Sequence, residues 1–317
     1  MKITVLDGFT LNPGDLTWGE LEKLGKLTVY DRTPAELVVE RCRDSEIVFT
    51  NKTPIDGNAL EALPKLKYIG VLATGYNVVD VVEASKHGVT VTNIPAYSTM
   101  SVAQHVFAML LTATDHVEHY AEEVRDGKWC RSKDFCFTDT PLIEVAGKKM
   151  GIIGFGNIGR AVGQIAQAFG MNVIVYTSKT KEELPPGVEK VSLRELFSDS
   201  DVITLHCPLT ESTKEIINRD SLSLMKEGVI LINTGRGPLI DEEAVAQALE
   251  EGKLKAFCAD VLSSEPPAET NPLLRAPNVY ITPHIAWATK EARERLINIA
   301  VSNLQSYLAG HPVNIVS

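Results

Sequence analysis

Three residues far apart in the chain have the types needed to move one proton and hold one carboxylate. They are Arg236, Glu265 and His284, and each follows a short apolar run. Val279–Thr282 ends at Pro283-His284, Ala256–Ala259 ends at Asp260 with Glu265 a few residues on, and Val229–Asn233 ends at Thr234-Gly235-Arg236-Gly237. Histidine titrates near neutrality and can give or take a proton. A neighbouring carboxylate stabilises the imidazolium. A guanidinium offers two parallel N–H donors to a carboxylate, and Gly235 and Gly237 leave room for a substrate beside it. Together they suit reduction of a 2-keto acid, in which hydride goes to carbon and the oxygen needs a proton. Each residue alone has a plainer reading: a satisfied core histidine, a loop carboxylate, a surface charge. Asp260 either caps the next turn or touches a cofactor.

The hydride source has its own signal. Gly154-Phe155-Gly156-Asn157-Ile158-Gly159 fits G-x-G-x-x-G. It follows the strand-like MGIIG and opens the helix-like RAVGQIAQAF, which NVIVY follows. That strand–turn–helix–strand context is what a dinucleotide site requires. Gly154 permits the turn, Gly156 lets a pyrophosphate approach, and Gly159 allows close helix packing. An NAD site usually places an acidic residue at the end of the second strand, for the ribose 2′-hydroxyl. Here the chain reads Thr177-Ser178-Lys179, and the first acid is Glu182. This favours NADP(H) weakly over NAD(H). His206, Cys207 and Pro208 end another strand and are expected to line the cofactor cleft. Thr234, Gly235 and Ala286, also at strand ends, join the expected cofactor contacts.

The elements that must position these residues alternate strand and helix, the pattern of parallel sheets. Five strands are expected within the first hundred residues: Ile3–Leu6, Leu27–Tyr30, Glu46–Thr50, Tyr68–Leu72 and Val89–Thr92. Six follow: Met150–Gly154, Asn172–Tyr176, Val202–His206, Val229–Asn233, Ala256–Ala259 and Val279–Thr282. One long helical pattern runs from Ser98 to about Arg125, apolar nearly all round in its first half. Residues 126–147 read as irregular, with Trp129 and Phe135 as anchors. The last helix, Lys290–Leu308, has no sheet of its own left and is expected to return to the first domain. The fold class is therefore α/β, with two doubly wound parallel-sheet domains. A Rossmann cofactor domain, 99–286, is inserted into a flavodoxin-like substrate domain, 1–98 plus 287–317.

A chain of 317 residues is long enough for two cores. Its net charge of −10 argues against a nucleic-acid or anionic-membrane partner. No stretch approaches the ~20 apolar residues of a membrane span. MKITVLDGF reads as a strand and not a leader. Five scattered cysteines without a CxxC pair point to a reducing, cytoplasmic setting, with no disulfide frame and no metal site. His116 and His119, three apart, read as a solvated helix face.

The motifs GFGNIG at 154–159, NTGRG at 233–237, DVLSSEPP at 260–267 and PHIAWAT at 283–289 resemble those of the D-2-hydroxyacid dehydrogenases over nearly the whole chain. Within that family the resemblance is to the glycerate dehydrogenase, or hydroxypyruvate reductase, branch. It implies Arg236 as substrate clamp, Glu265 as partner of the histidine and His284 as acid/base. It implies that the backbone of Ala73, Thr74 and Gly75 takes the substrate carboxylate and that Ser98–His105 forms the interdomain hinge. Trp287 resembles the glycerate-type branch, where its bulk closes the pocket over a short substrate. The resemblance also implies a homodimer through the cofactor domain. It leaves open a lactate- or phosphoglycerate-type activity, the latter with Lys52 as the one extra cation, and an NAD(H)-sensing binding protein of the same fold.

Overall fold

In the computed structural model, which describes residues 1–317, every strand ladder is parallel. The chain divides into two compact units, Met1–Ser98 with Ala288–Ser317, and Thr99–Trp287.

The first unit holds β1 Lys2–Val5, β2 Lys26–Val29, β3 Ile47–Thr50, β4 Tyr68–Val71 and β5 Thr90–Thr92, in the order β2-β1-β3-β4-β5. This is the flavodoxin-like order. Central strands β3 and β4 are buried throughout, which is why they read as unbroken apolar runs. The final helix, Lys290–Leu308, packs in this unit. Its Tyr307 ring lies 4.9 Å from that of Tyr68, and Asn303 Nδ2 donates to Asn93 O at 3.0 Å. Arg293, buried in the same helix, grips Asp15 through two 2.7 Å bonds.

The second unit holds β6 Lys149–Ile153, β7 Asn172–Tyr176, β8 Val188–Lys190, β9 Val202–Leu205, β10 Val229–Asn233, β11 Leu254–Ala259 and β12 Val279–Ile281. Their order is β12-β11-β10-β9-β6-β7-β8. Strand order reverses between β6 and β9, the switch point where such sheets take a dinucleotide. The fold is thus two parallel-sheet α/β domains.

Three local expectations are corrected. The sheet has seven strands and not six: β8, Val-Glu-Lys, is three residues long, partly exposed and at the sheet edge, so it has no apolar run to read. The long helix is two, Thr99–Asp115 and Val117–Arg125. His116 between them adopts φ +52°, a left-handed conformation that ends a helix and that histidine tolerates better than most. Trp129 and Phe135 are not anchors: they are 53% and 90% exposed, joined to each other by a 2.9 Å bond from the Trp129 indole N–H to Phe135 O.

No helix is long and apolar enough to cross a membrane. All five cysteines are free thiols. Burial pushes Cys42 and Cys258 up to about 12 and raises Cys207, whereas Cys130 and Cys136 are exposed. Thiolate is the reacting form, so labelling at pH 8 with an aromatic disulfide is expected to modify Cys130 and Cys136 fast and Cys207 slowly. Cys42 and Cys258 should react only on unfolding, and peptide mapping of the labelled thiols checks this.

Candidate active site

The three adjacent strands β10, β11 and β12 each lead into a loop that carries one of the candidate catalytic residues. His284 Nδ1 lies 2.7 Å from Glu265 Oε2. The carboxylate accepts, so Nδ1 carries a proton and Nε2 is left as the nitrogen that can exchange one. Glu265 is held from behind, its Oε1 accepting from Leu262 N at 3.2 Å. Leu262 also meets the arginine loop. A Cβ on Gly237 would stand 2.0 Å from the Leu262 carbonyl carbon, so only glycine lets the two loops close on each other. Arg236 is exposed, with Nη1 bonded to Gly235 O at 2.8 Å and its own carbonyl held by Asn233 Nδ2 at 2.9 Å. Buried Asn233 also accepts from Gly235 N at 3.0 Å, and so shapes the whole turn that carries the guanidinium.

The His284 backbone is strained. Its φ is +54°, which costs a non-glycine residue on the order of 1–2 kcal/mol. Asp260 compensates. Its carboxylate, 1% exposed, accepts from Thr282 Oγ1 at 2.6 Å and from the amides of Ile285 and Ala286 at 2.8 Å each. Its carbonyl takes His284 N at 2.9 Å. Asp260 is thus committed to the 282–286 turn. Ala286 is committed too, since its carbonyl accepts from Ser101 Oγ at 2.6 Å. The Trp287 indole N–H donates to His284 O at 2.8 Å and caps the same turn.

The glycine turn has the form a dinucleotide needs. Gly154, at φ +93°, would drive a Cβ to 2.5 Å from Cys207 N, which puts the turn directly against His206 and Cys207. Gly159 would meet Gly154 O at 2.2 Å, the close helix–strand approach. Around Gly156 nothing lies within 4 Å, so its side is open where phosphate would come. Gly156 caps the helix Asn157–Ala168 without a side-chain bond, leaving the Asn157, Ile158 and Gly159 end for an anion. Thr234 Oγ1 is buried with no partner in the chain, as expected of a hydroxyl meant for a ligand. These residues fit a nicotinamide dinucleotide. His206, bonded through Nε2 to Thr204 Oγ1 at 2.9 Å, is pushed down to about 3 by burial. It stays neutral. Pro208, beyond it, is exposed and fixes its loop through its carbonyl, which accepts from Thr213 Oγ1 at 2.6 Å.

Beyond β7, Lys179 N donates to Thr177 Oγ1 at 3.3 Å. Lys190 on β8 reaches over and donates to Lys179 O at 2.5 Å, a cation that the sequence reading missed because β8 was missed. Glu183 folds back so that its Oε2 accepts from Thr180 N at 2.7 Å. Carboxylate and ammonium groups therefore share this corner, all of them following Ser178 in the chain.

In the first unit, the turn after β4 spends its carbonyls internally. Ala73 O accepts from Ile94 N at 3.0 Å, and Thr74 O from Asn93 Nδ2 at 2.8 Å. The Thr74 hydroxyl donates to Ile94 O at 2.8 Å, while the amides of Thr74 and Gly75 have no acceptor in the chain. Lys52 is exposed, its amide held by Asp7 Oδ2 at 2.6 Å. His119, Glu123 and Asp139 come within ligand distance of one another, but the Lys128 ammonium already bonds Glu123 and Asp139 at 2.6 and 2.5 Å. That ammonium holds Asp139 below the usual carboxylate range.

Comparison with known proteins agrees with this geometry. Residues 107–286 match the family described as D-isomer specific 2-hydroxyacid dehydrogenase, NAD binding domain. A hydroxypyruvate reductase of Blautia hydrogenotrophica is 52% identical, with all of both chains covered. A glycerate dehydrogenase of Methylorubrum extorquens is 42% identical over 99% of this chain and 98% of its own. Among solved structures, an acyclic imino acid reductase in complex with NADPH and D-Arg superposes with a TM-score of 0.86 at 33% identity, with full coverage of both. The chain belongs to the D-isomer specific 2-hydroxyacid dehydrogenase family.

Proposed function

We propose that this chain is an NAD(P)-dependent oxidoreductase that reduces hydroxypyruvate to D-glycerate, and glyoxylate to glycolate. The observation that carries the reading is the 2.7 Å His284–Glu265 pair at the strand ends, one loop from Arg236. The names of the two relatives, hydroxypyruvate reductase and glycerate dehydrogenase, supply the substrate. A bound nicotinamide supplies the hydride. His284 holds a proton on Nε2 and gives it to the keto oxygen as that oxygen becomes an alcohol. Glu265 keeps Nδ1–H pointed at itself and stabilises the imidazolium before transfer. Arg236 pairs with the substrate carboxylate.

NADP(H) is weakly favoured over NAD(H). Lys179, Lys181 and Lys190 supply cations near the end of β7, and Thr177 and Ser178 supply hydroxyls. Glu182 and Glu183 offset part of that charge, so the preference is expected to be modest. A homodimer through the second unit is the proposed assembly. Val117, Trp129, Phe135 and Leu142 are each more than half exposed within one short segment, a concentration that a monomer rarely leaves open. The five free thiols fit the cytoplasm.

His284→Ala should lower kcat for hydroxypyruvate by about 10²–10⁴-fold while NADPH still binds by fluorescence titration. Arg236→Gln should instead act mainly through KM for the keto acid; steady-state kinetics separate the two. Titration of NADPH and NADH against the free protein should give the lower Kd for NADPH; equal values would remove the coenzyme preference alone. Phe135→Asp should shift the species seen by light scattering from twice the chain mass to the chain mass.

A further inference from the structure

The helix Thr99–Asp115 meets the histidine turn at two points one helical turn apart. Ser101 Oγ donates to Ala286 O at 2.6 Å, and His105 Nε2 lies 2.9 Å from Thr282 Oγ1. Residues four apart share one face of a helix. The same face continues to Met109, whose carbonyl lies 3.6 Å from Cys258 Sγ on β11. Three successive turns thus run along the ends of β11 and β12.

The proton count in this contact fixes who donates. A hydroxyl has one proton. Thr282 gives its proton to Asp260 Oδ1 at 2.6 Å, so toward His105 it can only accept. His105 Nε2 is therefore the protonated nitrogen. The same nitrogen lies 3.7 Å from Asp260 Oδ1, beyond a direct bond but near enough to keep the hydroxyl aimed. From Asp260 the chain of bonds passes to the amides of Ile285 and Ala286, which follow His284 directly.

We propose that His105 is a positioning residue for His284. It acts through the Thr282 hydroxyl and the Asp260 carboxylate and does not touch substrate. The turn it steadies carries an imidazole at positive φ, a conformation that surrounding contacts have to hold. Its neighbours Val102, Ala103 and Val106 are buried apolar residues, so a polar ring here is costly unless its N–H is used. This inference rests on the reading of His284 as acid/base.

Full-length His105→Phe, His105→Gln, Thr282→Val and the His105→Phe/Thr282→Val double variant test it. His105→Phe keeps a ring and loses the donor; His105→Gln keeps a donor. His105→Phe is expected to lower kcat for hydroxypyruvate on the order of tenfold with KM within about twofold, since a misplaced group costs rate more than binding. His105→Gln should recover most of the loss. The double variant should be no slower than Thr282→Val alone, because both changes cut one link. The downfield proton resonance of the His284–Glu265 hydrogen bond should broaden in His105→Phe, whether or not any substrate is turned over. Wild-type kcat with an unchanged resonance in His105→Phe, failure of His105→Gln to rescue, or additive losses in the double variant would overturn the proposal. If His105→Phe does not fold, Thr282→Val decides, and wild-type kcat there overturns it. A wild-type protein inert toward hydroxypyruvate would instead count against the substrate assignment, and the resonance alone would then judge His105.

Discussion

A buried carboxylate bound by a hydroxyl and two backbone amides sets the geometry of the site. Without Asp260, the turn that carries the left-handed backbone of His284 would lose the carboxylate that Thr282, Ile285 and Ala286 all donate to. An ionised carboxylate is costly to bury unless donors surround it. Here three donors do so, and all three belong to the 282–286 turn. The cost of burial and the strain of the turn are thus settled against each other within a few residues. Glu265, by contrast, is more than a third exposed and keeps one oxygen on the Leu262 amide while the other meets the ring. One acid builds the turn, and the other meets the imidazole.

The same division of labour appears around the dinucleotide turn. Gly154 and Gly159 are glycines because neighbouring backbone occupies the space of a side chain, whereas Gly156 is glycine because a ligand would occupy it. Neutral His206 and the unpartnered Thr234 hydroxyl add polar groups that carry no charge into that cleft. Charge near this sheet edge is supplied instead by the lysines near β7.

Much of this was legible in the chain itself. The buried strands β3, β4, β9 and β10 are mostly apolar and rich in β-branched residues, so their ends, and the residues just beyond, could be placed within a residue or so. Arg236, Glu265 and His284 could be singled out because each stands shortly after an apolar run, and the structure brings His284 and Glu265 within 2.7 Å of each other. What stayed hidden was of two kinds. Short, half-exposed elements such as β8 carry no periodic signal, and with β8 went Lys190. Contacts made by backbone or between distant segments leave no pattern either: the commitment of Asp260 to two amides, and of Ser101 and His105 to the turn, depends on packing. A serine and a histidine four apart on a largely apolar helix were the available hint. Trp129 and Phe135 misled because large aromatic residues usually mark a core, and here they mark a surface.

The placement of β8 has a consequence for how this enzyme can change. It is an outer strand of three partly exposed residues, while β12, which leads to His284, is the outer strand on the opposite flank of the same sheet. Swapping a charge at Lys179 or Lys190 disturbs neither an apolar layer nor any bond of the histidine turn. The charge of this corner can therefore drift in a lineage, or be reset by engineering, while the histidine turn is inherited intact.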